Sequence, residues 1–373
     1  MNSFIKLISF SALLMTLIGC SMVVPKLLPL DNLPEPTGPY AVGTQTFTWQ
    51  DNNREEAFTS AVDDKRRIVV QIWYPAEQAD SPTATYIPDP KLRMKPFAKS
   101  SGLPKFLINH MQHVETNSYP SAPMKTGLGD LPLVLFSHGL GGMKNQNSVQ
   151  MEELASRGYF VAAVDHAYDA YLTVFADGST ADYRSSHDGI DSEESFWATR
   201  GPQLTTRAKD MLFLLDQIQL KIDTAEPEWK DINTNRVGIF GHSFGGATSI
   251  LAASLDSRIS AVIALDGWMV PVPPEVITAG LNVPMLYMGQ PEWKGTPLNY
   301  EKLDQLISNN TGETKKLLIE ETKHMDFSDA PQFSNFAQRI GYAGKIPSVK
   351  LKQILNSETL NFFDTHIRGQ ISQ

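Results

Sequence analysis

Residues 236–246 read "RVGIFGHSFGG", and "ATSILAASL" follows at 247–255. The first half is an apolar, β-prone run that stops at a glycine, and the second is a series of small residues suited to a tightly packed helix. Between them, Gly241 and Gly245 fence Ser243. A Gly-x-Ser-x-Gly string alone is equally well a glycine-rich turn with an incidental serine. A strand before it and a small-residue helix after it are what a nucleophile elbow requires, because only glycine lets the two elements approach so closely. The hydroxyl then stands at the carboxyl end of a strand and at a helix N-terminus, where the helix dipole favours developing negative charge.

Working outward, β-rich runs alternate with amphipathic stretches from about residue 45. "RRIVVQIWYPA" (66–76), "LPLVLFS" (131–137), "YFVAAVDHA" (159–167), "ISAVIALDG" (259–267), "VPMLYMGQ" (283–290) and "KKLLIEE" (315–321) read as strands. Helices are expected over 149–159 with Gly158 as cap, 204–222, 246–255, about 300–308 and about 348–367. This alternation predicts an α/β domain over 46–373, with a mostly parallel central sheet and helices on both faces. The stretches 77–130 and 167–202 fit no such unit and read as insertions over one end of the sheet. Within the first, Leu103, Phe106, Leu107 and Met111 would share one helical face, which either lines an acyl pocket, touches lipid or simply packs the insertion down.

A serine needs a base beside it to act as a nucleophile. Eight histidines are available. His138 and His242 lie inside glycine motifs, which suits a packing or turn-stabilising role, and His366 sits on the terminal helix. His110, His113, His166 and His187 precede the serine, whereas elbow-bearing α/β folds order the triad as serine, acid, histidine. His324, just past the last predicted strand, remains. The acid should end a strand between the two, and Asp266, closing "AVIALD", does so. Asp165 also ends a strand but lies out of order. Two backbone N–H groups are expected to form an oxyanion hole: that of Phe244, after the nucleophile, and that of Leu140 in "SHGLGG" (137–142). Trp268, two residues beyond the acid, is expected to narrow the mouth of the site and favour short acyl groups.

The chain has 373 residues, 42% hydrophobic and 20% charged, with a net charge of −9 and no basic run. It is therefore a folded protein and an improbable partner for nucleic acid. Its first twenty residues, "MNSFIKLISFSALLMTLIGC", carry one early lysine and then an apolar stretch too short to span a bilayer comfortably. Leu17-Ile18-Gly19-Cys20 resembles a bacterial lipobox, so residues 1–19 are expected to be a lipoprotein signal peptide. Cys20 is then the lipidated residue that anchors an exported protein to a membrane of the cell envelope; the alternative is an ordinary signal peptide with an incidental cysteine. Cys20 is the chain's single cysteine, which excludes an intrachain disulfide and a cysteine-built metal cluster. Residues 20–45, rich in proline, read as a tether. No metal or cofactor is expected, and nothing in the sequence speaks to oligomeric state.

Taken together, "IWYPA", "LVLFSHGLGG", "SRGYFVAAVDH", "GHSFGGAT" and "ALDGWM" resemble, in matching order from about residue 60 to 330, the platelet-activating factor acetylhydrolase family, the plasma and intracellular type II lipase-like α/β-hydrolases. The resemblance implies an α/β-hydrolase fold and places the family's nucleophile on Ser243, its acid on Asp266, its base on His324 and its oxyanion donors on Leu140 and Phe244. It implies calcium-independent ester hydrolysis of the 1-alkyl-2-acetylglycerophosphocholine esterase type, on phospholipids with a short or oxidised sn-2 acyl chain. Bacterial relatives acting as general short-chain carboxylesterases or polyester hydrolases are the alternative. A lipoprotein that keeps the fold and binds lipid or protein without turnover is the alternative of a different class. The two insertions match little of the family pattern, which leaves the physiological ester open.

Overall fold

The computed structural model describes residues 24–226, 228–293 and 295–368, and the statements below concern these. The expected signal segment and Cys20 lie outside them. Nine strands form the main sheet: β1 (Ala41–Glu55), β2 (Lys65–Ala76), β3 (Ser118–Pro120), β4 (Leu131–Ser137), β5 (Phe160–His166), β8 (Ile232–His242), β9 (Ile259–Leu265), β10 (Met285–Gly289) and β11 (Thr314–Leu318). A separate two-stranded hairpin joins β6 (Leu172–Val174) to β7 (Thr180–Asp182). The order across the main sheet is β11-β10-β9-β8-β4-β5-β2-β1-β3. From β5 across β4, β8, β9 and β10 to β11 the strands run parallel to one another, while β2 runs antiparallel to both β5 and β1.

Side chains alternate across the strands because the pleat sends neighbours to opposite faces. Leu131, Leu133 and Leu135 of β4 join one buried cluster with α3 (Glu193–Asp223) and α4 (Phe244–Leu255), through Leu204, Met211, Leu215, Phe244 and Ile250. Val134 and Phe136 point the other way, to Met151 and Leu154 of α2 (Ser148–Ser156) and to Leu351, Leu355 and Phe363 of α5 (Ser348–Phe363). A parallel sheet covered on both faces must be apolar on both, which is why its strands read as nearly continuous hydrophobic runs.

Helix α3 begins well before the expected residue 204, capped by Ser192, whose side chain accepts from the Ser195 N–H. It passes through Pro202, and Gly201 precedes that proline, so no Cβ meets the pyrrolidine ring. The second insertion is thus a hairpin and loop feeding an extended helix. The first insertion holds α1 (Pro90–Ser101), a short helix Lys105–Ile108, a 3-10 turn Asn109–His113 and the edge strand β3. The expected single helical face over 103–113 is broken in two: Leu103 and Met111 turn inward, whereas Phe106 is 59% exposed. The proline-rich stretch expected as a tether lies against the domain over its later part. Asp31 N–H donates to the Phe333 carbonyl, Leu33 N–H to Glu115, and Thr37 N–H and Oγ1–H to the Glu153 carboxylate, before β1 starts at Ala41.

Candidate active site

Strand β8 ends at His242 and α4 begins at Phe244, leaving Ser243 alone to make the turn at φ 57°, ψ −120°. The flanking glycines are obligatory for steric reasons: a Cβ on Gly241 would lie 2.2 Å from the Gly245 carbonyl oxygen, and one on Gly245 would lie 1.9 Å from that of Ser137. The turn is held by Ser243 N–H donating to Leu265 O at 3.0 Å and by Trp268 N–H donating to Ser243 O at 2.9 Å. Strands β8 and β9 are adjacent, which brings the residues after each strand together above the sheet's carboxyl edge, the usual place for ligands in such sheets.

Asp266 follows β9 in a left-handed conformation (φ 42°) and is fully buried. Its Oδ2 accepts from His324 Nδ1 at 2.6 Å and from Gln290 Nε2 at 2.8 Å, while Oδ1 accepts from Trp293 Nε1 at 3.0 Å and from the Gln290 N–H at 3.1 Å. Four donors thus stabilise the carboxylate in place. With Nδ1 donating, the His324 ring is left with Nε2 as its acceptor nitrogen. The ring is 35% exposed, lies edge-on to Trp293 with centroids 5.1 Å apart, and sits 4.6 Å from the ring of His242, the neighbour of Ser243. Asp165, the rival acid, is held elsewhere: it accepts from the Lys144 N–H at 2.6 Å and faces Lys144 Nζ at 3.4 Å and Arg93 at 3.8 Å.

In the loop after β4, Gly139 N–H donates to Gln146 Oε1, Gly141 N–H to Asp169 O and Gly142 N–H to Gly139 O. Among the described residues the Leu140 N–H has no acceptor, and Phe244, the first residue of α4, presents one of the free amides of a helix start. Beneath the loop lies a buried ionic network. Arg207 donates to Ser137 Oγ at 3.0 Å, to the His138 carbonyl and to Asp169, and its guanidinium lies 5.0 Å from the Phe244 ring centroid. His138 is buried with Nδ1 on the Gly139 carbonyl, and burial followed by the Arg207 charge keeps it neutral, well below the usual imidazole range.

An apolar cavity of about 180 Å³ opens beside this loop. Gly141 to Met143, Gln146 and Met325 form its inner wall; Phe97, Leu103 and Met111 from the first insertion and Leu30 from the proline-rich stretch form part of the outer one. Trp268 is placed differently. It stacks among Phe244, Phe196 and His187, at 5.7, 5.9 and 5.9 Å, beside the serine and against the second insertion, and is not among the cavity-lining residues. Gln290, Trp293 and Gln146 escaped the sequence reading; the signal that could have flagged the first two is that "GQPEW" (289–293) follows the strand adjacent to the one that carries Asp266.

Residues 29–371 match the family described as platelet-activating factor acetylhydrolase, isoform II. The chain belongs to this family. It is 30% identical over 264 residues to the platelet-activating factor acetylhydrolase of Gallus gallus, covering 63% of this chain and 62% of that one. To the Cavia porcellus protein of the same name it is 28% identical over 363 residues, covering 90% and 78%. Among solved structures, a ferulic acid esterase from Streptomyces cinnamoneus superposes with a TM-score of 0.74 at 27% identity, covering 92% of this chain and 94% of that one. Family and architecture together make the protein an α/β-hydrolase and an ester hydrolase.

Proposed function

We propose that the chain hydrolyses carboxylic esters through Ser243, His324 and Asp266 by way of an acyl-enzyme. Ser243 Oγ attacks the ester carbonyl as its proton passes to His324 Nε2, and the imidazolium is stabilised by the Asp266 carboxylate. The tetrahedral oxyanion accepts from the Leu140 and Phe244 amides. As the C–O bond breaks, His324 hands the proton to the departing alcohol. Water then attacks the acyl-enzyme, its proton going to His324 and on to Ser243 Oγ, and the carboxylic acid leaves. The observation that carries this reading is the 2.6 Å contact between His324 Nδ1 and Asp266, one ring away from a serine held on a strained turn.

The substrate class proposed is an ester of a short acyl group, such as a phospholipid with a short or oxidised sn-2 chain; the animal relatives' name, platelet-activating factor acetylhydrolase, supports the acetyl end of that class. The esterase likeness supports a second reading, a general carboxylesterase on non-lipid esters. Ser243→Ala and His324→Ala should each lower kcat by several orders of magnitude with the fold retained, and a fluorophosphonate should label the wild type on Ser243 alone. Turnover surviving in Ser243→Ala would overturn the mechanism. Comparison of a 2-acetyl phospholipid with p-nitrophenyl acetate and a feruloyl ester separates the two substrate readings. We also propose that lipid on Cys20 anchors the protein to the envelope of its bacterium; absence of palmitate label on the wild-type protein would refute this.

A further inference from the structure

We infer that Gln146 and His242 are positioning residues that hold the loop of the oxyanion donor and the loop of the base in one register, through a single chain of hydrogen bonds. The inference rests on the hydrolase reading above. The chain begins at the Gly139 N–H, which donates to Gln146 Oε1 at 2.9 Å. Gln146 Nε2 donates to His242 Nδ1 at 2.9 Å, and His242 Nε2 donates to the backbone carbonyl of His324 at 3.0 Å. The directions are forced: Nε2 faces a carbonyl and must carry the proton, so Nδ1 must accept. Burial, with His324 nearby, holds His242 well below the usual imidazole range, which keeps that tautomer neutral.

Each end of the chain sits on a working residue. Gly139 immediately precedes Leu140, and the His324 carbonyl belongs to the base itself. The middle is buried, with Gln146 9% and His242 1% exposed, so water competes weakly for these bonds. The loop sequence is also shaped around Gln146. A Cβ on Gly142 would lie 2.4 Å from Gln146 Oε1, and one on Gly139 would lie 3.0 Å from His242 Nδ1. The glycines of "GLGG" thus leave room for the glutamine, and the residue between Gly241 and Ser243 in the elbow is the histidine that completes the link. The same two segments are joined again by Asp329 N–H to Gln146 O at 3.0 Å and by Asn147 Nδ2 to Phe327 O at 2.8 Å, so they pack as one unit even without the chain. What the chain adds is relative placement of donor and base, for which an error near an ångström is costly.

The test is steady-state kinetics on a p-nitrophenyl ester with thermal melts of the same samples. Gln146→Leu and His242→Leu should each lower kcat about ten- to a hundredfold while KM stays within about twofold. His242→Gln, whose amide can still donate toward the His324 carbonyl, should recover most of the loss. The Gln146→Leu/His242→Leu double variant should be no slower than the worse single one, because both break one chain. A folded Gln146→Leu enzyme with wild-type kcat, losses that multiply in the double variant, or an effect confined to KM would each overturn the inference. Ser243→Ala separates the two levels: if it is inactive while Gln146→Leu is not, only this inference falls, and if it is active the hydrolase mechanism falls first.

Discussion

Gly245 and Asp165 show how much a single position decides. Any side chain on Gly245 must enter the space of the Ser137 and His138 carbonyls, which are backbone and cannot rotate away. Gly245→Ala should therefore lose about 3 kcal/mol or more in urea denaturation, the upper end of what overpacking costs, and activity should go with it. The two strand-ending aspartates should separate cleanly. Asp266→Asn leaves a hydrogen-bonded side chain but the wrong imidazole tautomer, so kcat should fall by about two to four orders of magnitude with a small change in Tm. Asp165→Asn strips the counter-charge from the buried Lys144 and Arg93, and should destabilise the fold by about 3 kcal/mol while the folded enzyme keeps its kcat. Inactivation by the second change and not the first would transfer the acid's role to Asp165. These two residues also show what the sequence can and cannot disclose. The placement of Ser243, Asp266 and His324, the triad proposed here, was legible because each follows a strand in a fixed order. Gln290, Trp293 and Gln146 were not, because what matters in them is a partner 24, 27 or 96 positions away that only the folded chain brings near.

Between elements, the buried ionic network ties β2, β4, β5 and α3 together. Arg66 forks onto Asp210 at 2.6 and 3.0 Å and onto Glu56; Asp210 also accepts from His166 Nδ1 at 2.9 Å, and His166 Nε2 meets Ser137 Oγ at 3.0 Å. Burial, then the charge of Arg207, lowers the His166 pKa to about 4. In the unfolded chain the same imidazole titrates near 6.5, so between these values the unfolded state binds the extra proton and folding loses stability as pH falls. From pH 6.5 to 5 this amounts to about 2 kcal/mol. Glu152 and Asp329, raised by burial, act with the opposite sign, gaining stability on acidification, so the bare curve mixes the two. His166→Asn isolates the term: its loss of stability between pH 6.5 and 5 should be about 2 kcal/mol smaller than the wild type's. Equal slopes in urea titrations would show that His166 titrates normally in the fold. The core strands were legible because burial on both faces leaves long apolar runs. Strand β1 was missed: its fifteen residues, "AVGTQTFTWQDNNRE", are largely polar because it lies near the sheet edge, between β2 and the three-residue β3. The early start of α3 was hidden by Gly201-Pro202, which mimics a boundary.

At the scale of the whole molecule, the first insertion and the proline-rich stretch help wall an apolar cavity beside the oxyanion loop, which we propose as the acyl pocket. The chemistry proposed needs no metal, and turnover should persist after exhaustive chelation; loss restored by one divalent ion would contradict it. The outer wall of that cavity combines Leu30, α1 and the turn after it with Phe333, Phe336 and Ile340. At about 180 Å³ it is smaller than the 300–1,000 Å³ pockets that enclose drug-sized ligands, so on this proposal it should favour a short acyl chain over a hexadecanoyl one. Each methylene that fits should gain about 0.8 kcal/mol, and each that does not should force a side chain aside at greater cost. Across p-nitrophenyl esters, acetate and butyrate should therefore be turned over far better than palmitate, and a 2-acetyl phospholipid better than a long-chain one. Leu103→Ala removes part of the outer wall without touching the triad, and should raise kcat/KM for octanoate relative to acetate. A kcat/KM that climbs steadily to palmitate in the wild type, with no change of preference in Leu103→Ala, would mean that the acyl chain leaves the serine by another route. The Trp268, Phe196 and His187 cluster on the far side would then be the surface to substitute next.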